Sequence, residues 1–347
     1  MTYQLPAEWA PQSAVLLSWP HPQSDWADLL DRAEQTYQDI VRAIIRFQHV
    51  IIVCHDENLA SRVKNLFRDE PQYHRIIVRI AAINDTWTRD YGPLTVLNPE
   101  GQARLLDFQF NGWGNKFDAR LDNQAILNLH QQGLFGTTPI QTLPLVMEGG
   151  SVESDGQGIV LTTRHCLLSK ERNPHLSEPA IEAELKQHLG CQHVLWLNHG
   201  QLEGDDTDGH IDTLVRICSP DTLCYVQCDD KNDSHYDELL KMERELQQLR
   251  KPDGSAYKLI PLPWPCAKYD QSGRRLPATY ANFLIINDAV LLPVYDDPND
   301  VRAIAALQLC FPEREIIPIN CLSLIEQSGS LHCITMQIPH GVIIQGA

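Results

Sequence analysis

"LIINDAVLL", residues 284–292, sets two leucine- and isoleucine-rich runs on either side of Asn287-Asp288, and "ICSPDTLCY", residues 217–225, repeats the device around Ser219-Pro220-Asp221. A polar turn this short is hairpin chemistry, whereas a parallel crossover needs about a dozen residues or more. These two pairs argue against a purely doubly wound parallel sheet. Working outward, apolar runs of strand length recur at 14–19, 49–54, 75–80, 104–110, 158–163, 212–217, 222–227, 282–295 and 314–319. Helical patterns occupy 27–47, 58–68, 120–132, 178–189, 234–250 and 299–310. The class is therefore α/β. Strand pair, helix and further strand come round roughly every 60 to 75 residues, so about five such units would fill the chain. No Gly/Ser linker or Pro-rich tract interrupts it, and residues 1–347 are expected to form one domain.

The bulk numbers narrow the partners. Against 28 Lys and Arg stand 45 Asp and Glu, a formal charge of −17 that repels phosphate backbones, so nucleic acid is not expected as a partner. The N-terminal residues lack a basic region followed by an apolar one, and no later run is long enough for a membrane helix. No membrane association is expected. Ten cysteines in a chain of this length read as reduced thiols, which suits a cytoplasmic location. Cys218, Cys224 and Cys228 lack a C-x-x-C pair and alternate like strand, and are expected to be core sulfur.

Four segments carry candidate chemistry. "GDDTDGHID", 204–212, does not fit the Ca²⁺ loop template, since the first ligand position would fall on Gly204 and the twelfth on Val215. If strand begins at His210, then His210 and Asp212 share a face and place a base beside a carboxylate. A solvated turn capped by its aspartates, or a His-x-Asp metal site, would use the same residues. "NDTWTRDYGP", 84–93, puts Trp87, Arg89 and Asp90 at the mouth of a sheet, where a flat cation could stack and be bound; an ion pair from Arg89 to Asp85 or Asp90 is the plainer alternative. In "VMEGGSVESDGQG", 146–158, Glu148 ends a strand and Gly149-Gly150 allows close backbone approach, with no helix beginning there to cradle a phosphate. In "SGSLHCITMQIP", 328–339, a period of two puts Cys333 with Leu331 and Thr335 and turns His332 to the other face, away from acting as its base.

A physical argument joins these segments. A guanidinium is planar and permanently charged, and it calls for two or three carboxylates, which Asp90, Asp212 and Glu148 could supply. Its carbon is a poor electrophile, so hydrolysis needs a nucleophile stronger than water, and Cys333 as thiolate is the candidate. A bound cation and a protonated His210 are expected to lower the thiol pKa, with His210 protonating departing ammonia and later activating water.

The four segments, in this order and at these separations, resemble the agmatine deiminase and bacterial peptidylarginine-deiminase-like branch of the guanidine-modifying enzymes. The resemblance spans residues 84–335 and implies a pentein fold, a five-bladed α/β propeller of pseudo-fivefold ββαβ units around a central site. It implies a site without metal or cofactor. By motif, Cys333 is similar to the family nucleophile, His210 to the general acid and base, and Asp90 and Asp212 to the pair gripping the guanidinium. Glu148 is similar to the carboxylate that orients the histidine and binds the same substrate group, and Trp87 to the residue that covers the substrate. The implied reaction takes agmatine to N-carbamoylputrescine and ammonia through a thiouronium intermediate, in putrescine biosynthesis, with a homodimer left open. The chain departs from the family before the nucleophile, where Ser328-Gly329-Ser330-Leu331-His332-Cys333 replaces a Gly-rich run ending in Asn-Ile-His-Cys. Free, methylated or peptidyl arginine remain alternative substrates: Asp206 and Asp208 could meet agmatine's amine, whereas Arg89 could meet an arginine carboxylate. A non-catalytic pentein that only binds, and a His-x-Asp metallohydrolase, are the readings from other classes.

Overall fold

The computed structural model describes residues 2–346, so the two terminal residues of the expected 1–347 domain lie outside it. Each hairpin foreseen in the sequence is the start of a three-stranded blade. Val215–Ser219 pairs antiparallel with Thr222–Val226, which pairs parallel with Lys258–Leu262. Leu284–Ile286, Ala289–Val294 and Glu315–Asn320 repeat that order, as do Leu94–Leu97, Ala103–Gln109 and Ile140–Val146, and also Val152–Ser154, Ile159–Thr163 and His193–Leu197. In all four, one long helix carries the chain to the parallel strand: Tyr236–Gln248, Asp300–Cys310, Asp122–Gln131 and Glu178–Leu189 respectively, the last two preceded by the one-turn helices Gly112–Asn115 and Arg164–Leu167. The ββαβ unit is thus the building block.

The fifth blade is completed from both ends of the chain. Thr335–Pro339 pairs antiparallel with Gln12–Ser18, which continues in parallel through His49–Cys54 to Ile76–Ile80, with helices Leu30–Ile44 and Glu57–Phe67 between. Local chemistry sets the helix ends. Asp56 accepts the Leu59 amide at 2.8 Å before the second of these helices, and Glu178–Leu189 carries Pro at its start and Gly190 at φ 67° past its end.

Several strand expectations need correction. The run from 212 does not begin as strand: Ile211–Thr213 is a single 3-10 turn, and pairing starts at Val215. Residues 331–334 likewise form turns ahead of Thr335–Pro339. In each case the side chains are splayed by a turn rather than alternated by a pleat. Of the strands missed, Ile140–Val146, His193–Leu197 and Lys258–Leu262 are outer parallel ones, partly exposed and in two cases interrupted by Pro144 or Pro261, so their apolar pattern is diluted, while Leu94–Leu97 and Val152–Ser154 are only four and three residues long.

The topology brings one short turn per blade to the same place. Asp90 precedes Leu94–Leu97, Glu148 precedes Val152–Ser154, and His210 and Asp212 precede Val215–Ser219. Asn282 precedes Leu284–Ile286 and Cys333 precedes Thr335–Pro339. Each of these turns therefore sits just ahead of the outer antiparallel strand of its blade, and the five turns come from five blades, His210 and Asp212 sharing one. The turns touch directly: the Arg89 amide donates to the Cys333 carbonyl at 3.1 Å, and the Gly150 amide to Asp90 Oδ1 at 3.1 Å.

Candidate active site

A cavity of about 250 Å³ opens among these turns, with Trp87, Asp90, Trp113, Asp206 and Cys333 in its wall. Asp90 is fixed by Trp113 Nε1, which donates to Oδ2 at 2.9 Å, and by the Gly150 amide. Burial raises its pKa to about 6, with Asp212 and Glu148 adding repulsion and His210 opposing. Asp212 takes a 2.7 Å hydrogen bond from His332 Nδ1 on Oδ2, while its Oδ1, also buried, has no hydrogen-bond partner among the described residues. Burial would raise Asp212, but His332 and the nearby His210 and Arg216 hold it below the usual carboxylate range. A fixed carboxylate with one unused buried oxygen is an acceptor prepared for a donor.

The expected site residues converge. His210 Nδ1 lies 3.6 Å from Asp90 Oδ1 and its Nε2 3.8 Å from Glu148 Oε2. A Cβ on Gly150 would sit 2.6 Å from His210 Nδ1, 2.9 Å from Asp90 Oδ1 and 3.1 Å from Asp212 Oδ2, which is why only glycine fits there. The Gly149–Ser151 3-10 turn thus offers its amide to a carboxylate. Cys333 Sγ is 3.4 Å from Asn282 Oδ1 and 4.0 Å from Asp212 Oδ2. Trp87 lines the cavity, its Nε1 donating to Asp85 Oδ2 at 3.2 Å and its ring pressed by Gly329, where a Cβ would come within 2.0 Å of it.

Glu148 stands back from the cavity. Arg172 Nε reaches both of its oxygens at 2.9 Å, the pair being fully buried, and this guanidinium with His210 overrides burial to keep Glu148 ionised. Its contacts suit an orienting role for the imidazole better than a direct grip on substrate. The same Arg172 answers what the acidic loop binds: its Nη1 meets Asp208 Oδ2 at 2.7 Å and its Nη2 the Thr207 carbonyl at 2.9 Å, while Lys116 Nζ reaches Asp208 Oδ1 at 2.7 Å. Asp205 meanwhile caps the turn, accepting from the Thr207 and Gly209 amides. Glu148, Cys166 and His210 lie close enough together to suggest a metal, but the permanent cation of Arg172 on Glu148 opposes a second one there. Of the two acidic residues offered for a substrate amine, Asp206 lines the cavity and Asp208 is committed to Arg172 and Lys116.

Two expectations are revised. Arg89 neither pairs with Asp85 or Asp90 nor reaches the cavity; it is buried, its Nη1 donating to Gln337 Oε1 at 2.6 Å. His332 does not turn away from the site, since its Nδ1 grips Asp212 and its Nε2 lies 2.8 Å from Glu8 Oε2. The protonation states also differ from the simple reading. Burial, then Asp212 and Asp90, push the Cys333 thiol well up, and His210 is held well up, with Asp90 and Cys166 outweighing burial. The unliganded pair is imidazolium and thiol, because the imidazole is turned to carboxylates. Asn282, Arg172, Trp113 and His332 are the supporting residues that sequence reasoning did not find. Asn282 lies in no acidic or glycine-rich segment, yet its Oδ1 accepts from both the His332 and Cys333 amides, at 2.9 and 3.3 Å.

Five blades with one polar turn from each, closing on a buried thiol, an imidazole and two carboxylates, define a class: amidine-directed hydrolases and transferases of the pentein fold. A family profile described as Porphyromonas-type peptidyl-arginine deiminase matches residues 4–339, and the chain belongs to that family. An agmatine deiminase of Pseudomonas putida is 35% identical over 97% of this chain and 95% of its own length. A solved structure of C. jejuni agmatine deiminase, a cysteine-to-serine variant with substrate bound, is 35% identical with a TM-score of 0.91, covering 99% of this chain and 98% of that one. A solved Porphyromonas gingivalis protein, provisionally assigned as an arginine deiminase, is 48% identical with a TM-score of 0.92 over 99% of this chain and all (100%) of its own.

Proposed function

We propose that this chain is an agmatine deiminase, hydrolysing agmatine to N-carbamoylputrescine and ammonia with Cys333 as nucleophile, a reaction of polyamine synthesis. The observation that carries the reading is that Cys333, which with Asp90 walls the cavity, holds its sulfur 4.0 Å from Asp212, whose buried Oδ1 lacks a donor among the described residues. Burial and then the charges of Asp212 and Asp90 hold the thiol up. Guanidinium N–H groups bonded to both carboxylates would neutralise those charges, so bound substrate favours the thiolate, whose S–H proton leaves to solvent because His210 already carries its own. The thiolate adds to the guanidinium carbon; the C–N bond then breaks as the His210 imidazolium gives its proton to leaving ammonia. The now neutral His210 takes a proton from water, which adds to the thiouronium carbon, and collapse breaks the C–S bond to release the ureido product. Glu148, backed by Arg172, keeps His210 oriented through both halves.

At the far end, Asp206 in the cavity wall favours a substrate ending in an amine. One observation favours an arginine-type substrate instead: Arg274 also lines the cavity, although it donates to Asp270, Ser328 and the Glu326 carbonyl. Ammonia release from agmatine and from arginine in parallel separates the two. Agmatine should be preferred at least tenfold in kcat/KM, and Asp206→Asn should raise KM for agmatine; equal or better use of arginine overturns the agmatine assignment. The ten unpaired cysteines and the charge of −17 support a cytoplasmic protein without nucleic-acid partners, and no helix among the described residues is long and apolar enough to cross a membrane.

A further inference from the structure

Away from the cavity, three thiols meet where two blades join. Cys218 and Cys224 lie on the two strands of the "ICSPDTLCY" hairpin, and Cys310 is the last residue of helix Asp300–Cys310, which packs against the Lys258–Leu262 strand of that hairpin's blade. Their sulfurs all lie within 4.8 Å of one another. Cys228, which the sequence groups with the first two, is elsewhere, its Sγ 3.6 Å from the Asp230 carbonyl. The third ligand could not be read from spacing, since it comes from the next blade.

Metal–thiolate bonds of about 2.3 Å at tetrahedral angles require sulfur separations of about 3.8 Å, so closure of this triangle needs movement of under about 1 Å. Three thiolates and a divalent ion leave one negative charge, which the partly exposed Cys310 side of the cluster leaves open to solvent. The C-terminal end of the Asp300–Cys310 helix adds a negative partial charge that favours a cation. Cys218 and Cys224 are buried while Cys310 is partly exposed, which gives a route in and a side on which water can complete four-coordination.

We propose that Cys218, Cys224 and Cys310 form a three-thiolate site for a soft divalent d10 cation of the zinc class, distinct from the deiminase centre and tying the helix of the Leu284–Ile286 blade to its neighbour's hairpin. Binding exchanges three S–H protons for three metal–sulfur bonds, with no change in oxidation state. Cadmium chloride is the probe, because cadmium–thiolate charge transfer absorbs in the near ultraviolet. Full-length protein reduced with a phosphine, in a Cys333→Ser background to remove the active-site thiol, should gain that band, saturate at one equivalent and melt about 5 °C higher. Cys310→Ser and Cys224→Ala should each lose the saturable band and the melting shift, whereas Cys228→Ser and Cys266→Ser should keep both. Absence of the band in the parent, or its retention in both Cys310→Ser and Cys224→Ala, overturns the site. Because Cys310 is partly exposed, its serine variant tests the idea even if the Cys224 variant fails to fold.

Discussion

Asp90 shows how one residue's surroundings set the working range of the site. It must be ionised to bind a guanidinium, and burial lifts its pKa to about 6. Above that pH the clamp is charged; below it, each further unit should weaken agmatine binding about tenfold. Calorimetry on the Cys333→Ser variant, expected to bind agmatine without turning it over, should show this acid limb, and affinity unchanged from pH 7 to pH 5 would contradict it. His332 acts on the clamp from behind, so its role is positional. In His332→Leu, Asp212 loses its 2.7 Å donor and its pKa should rise, moving the acid limb to higher pH as well as weakening binding about a hundredfold. A residue that merely filled space would lower stability without moving that limb. At this scale the sequence was most legible where chemistry is written contiguously, as with Asp90, Glu148, His210, Asp212 and Cys333. Asn282 and Arg172 were hidden because topology alone carries them to the site.

The elements matter because the turns ahead of the hairpins, not the strands, present the chemistry. Two glycines make those turns fit. At Gly150 the absent side chain is replaced by His210, Asp90 and Asp212, and at Gly329 by the Trp87 indole. Gly329→Ala should push Trp87 into the cavity, raising KM for agmatine about tenfold or more with little loss of melting temperature, since the residue lies in a loop beside the cavity. Steady-state kinetics beside a thermal melt checks this; unchanged KM would remove Trp87 as a wall of the substrate site. Two of the hairpins were readable from their short polar turns and the six long helices from apolar periodicity, whereas the hairpins Leu94–Leu97 with Ala103–Gln109 and Val152–Ser154 with Ile159–Thr163 were not foreseen. The turns at 211–213 and 331–334 were misread as strand because a short apolar run has no period of its own to distinguish the two. That error also turned His332 the wrong way.

At the scale of the whole molecule, the closing pair of Gln12–Ser18 with Thr335–Pro339 supports our reading of residues 1–347 as one folding unit. Arg216 couples the blades at their centre. Fully buried, it donates at 2.6 Å to Glu8 and at 2.6 Å to Glu153, and also to the Ala281 and Phe283 carbonyls. Through Glu8 and His332 this network reaches Asp212. Arg216→Met should strand two buried carboxylates and cost about 3–5 kcal/mol of stability, measured by urea denaturation. A smaller loss of under about 1 kcal/mol would mean the carboxylates find water. None of this network was visible beforehand, because Glu8, Glu153, Arg216 and His332 are separated in sequence and joined only when the propeller closes.

The central claim, that the Cys333 sulfur bonds to a clamped guanidinium carbon, is tested most directly by intact-mass analysis after mixing with agmatine and quenching in acid. Wild-type protein should carry, on the peptide containing Cys333, an increment equal to agmatine less ammonia, and Cys333→Ser should show neither the increment nor turnover. Ammonia released at the wild-type rate by Cys333→Ser would contradict the account.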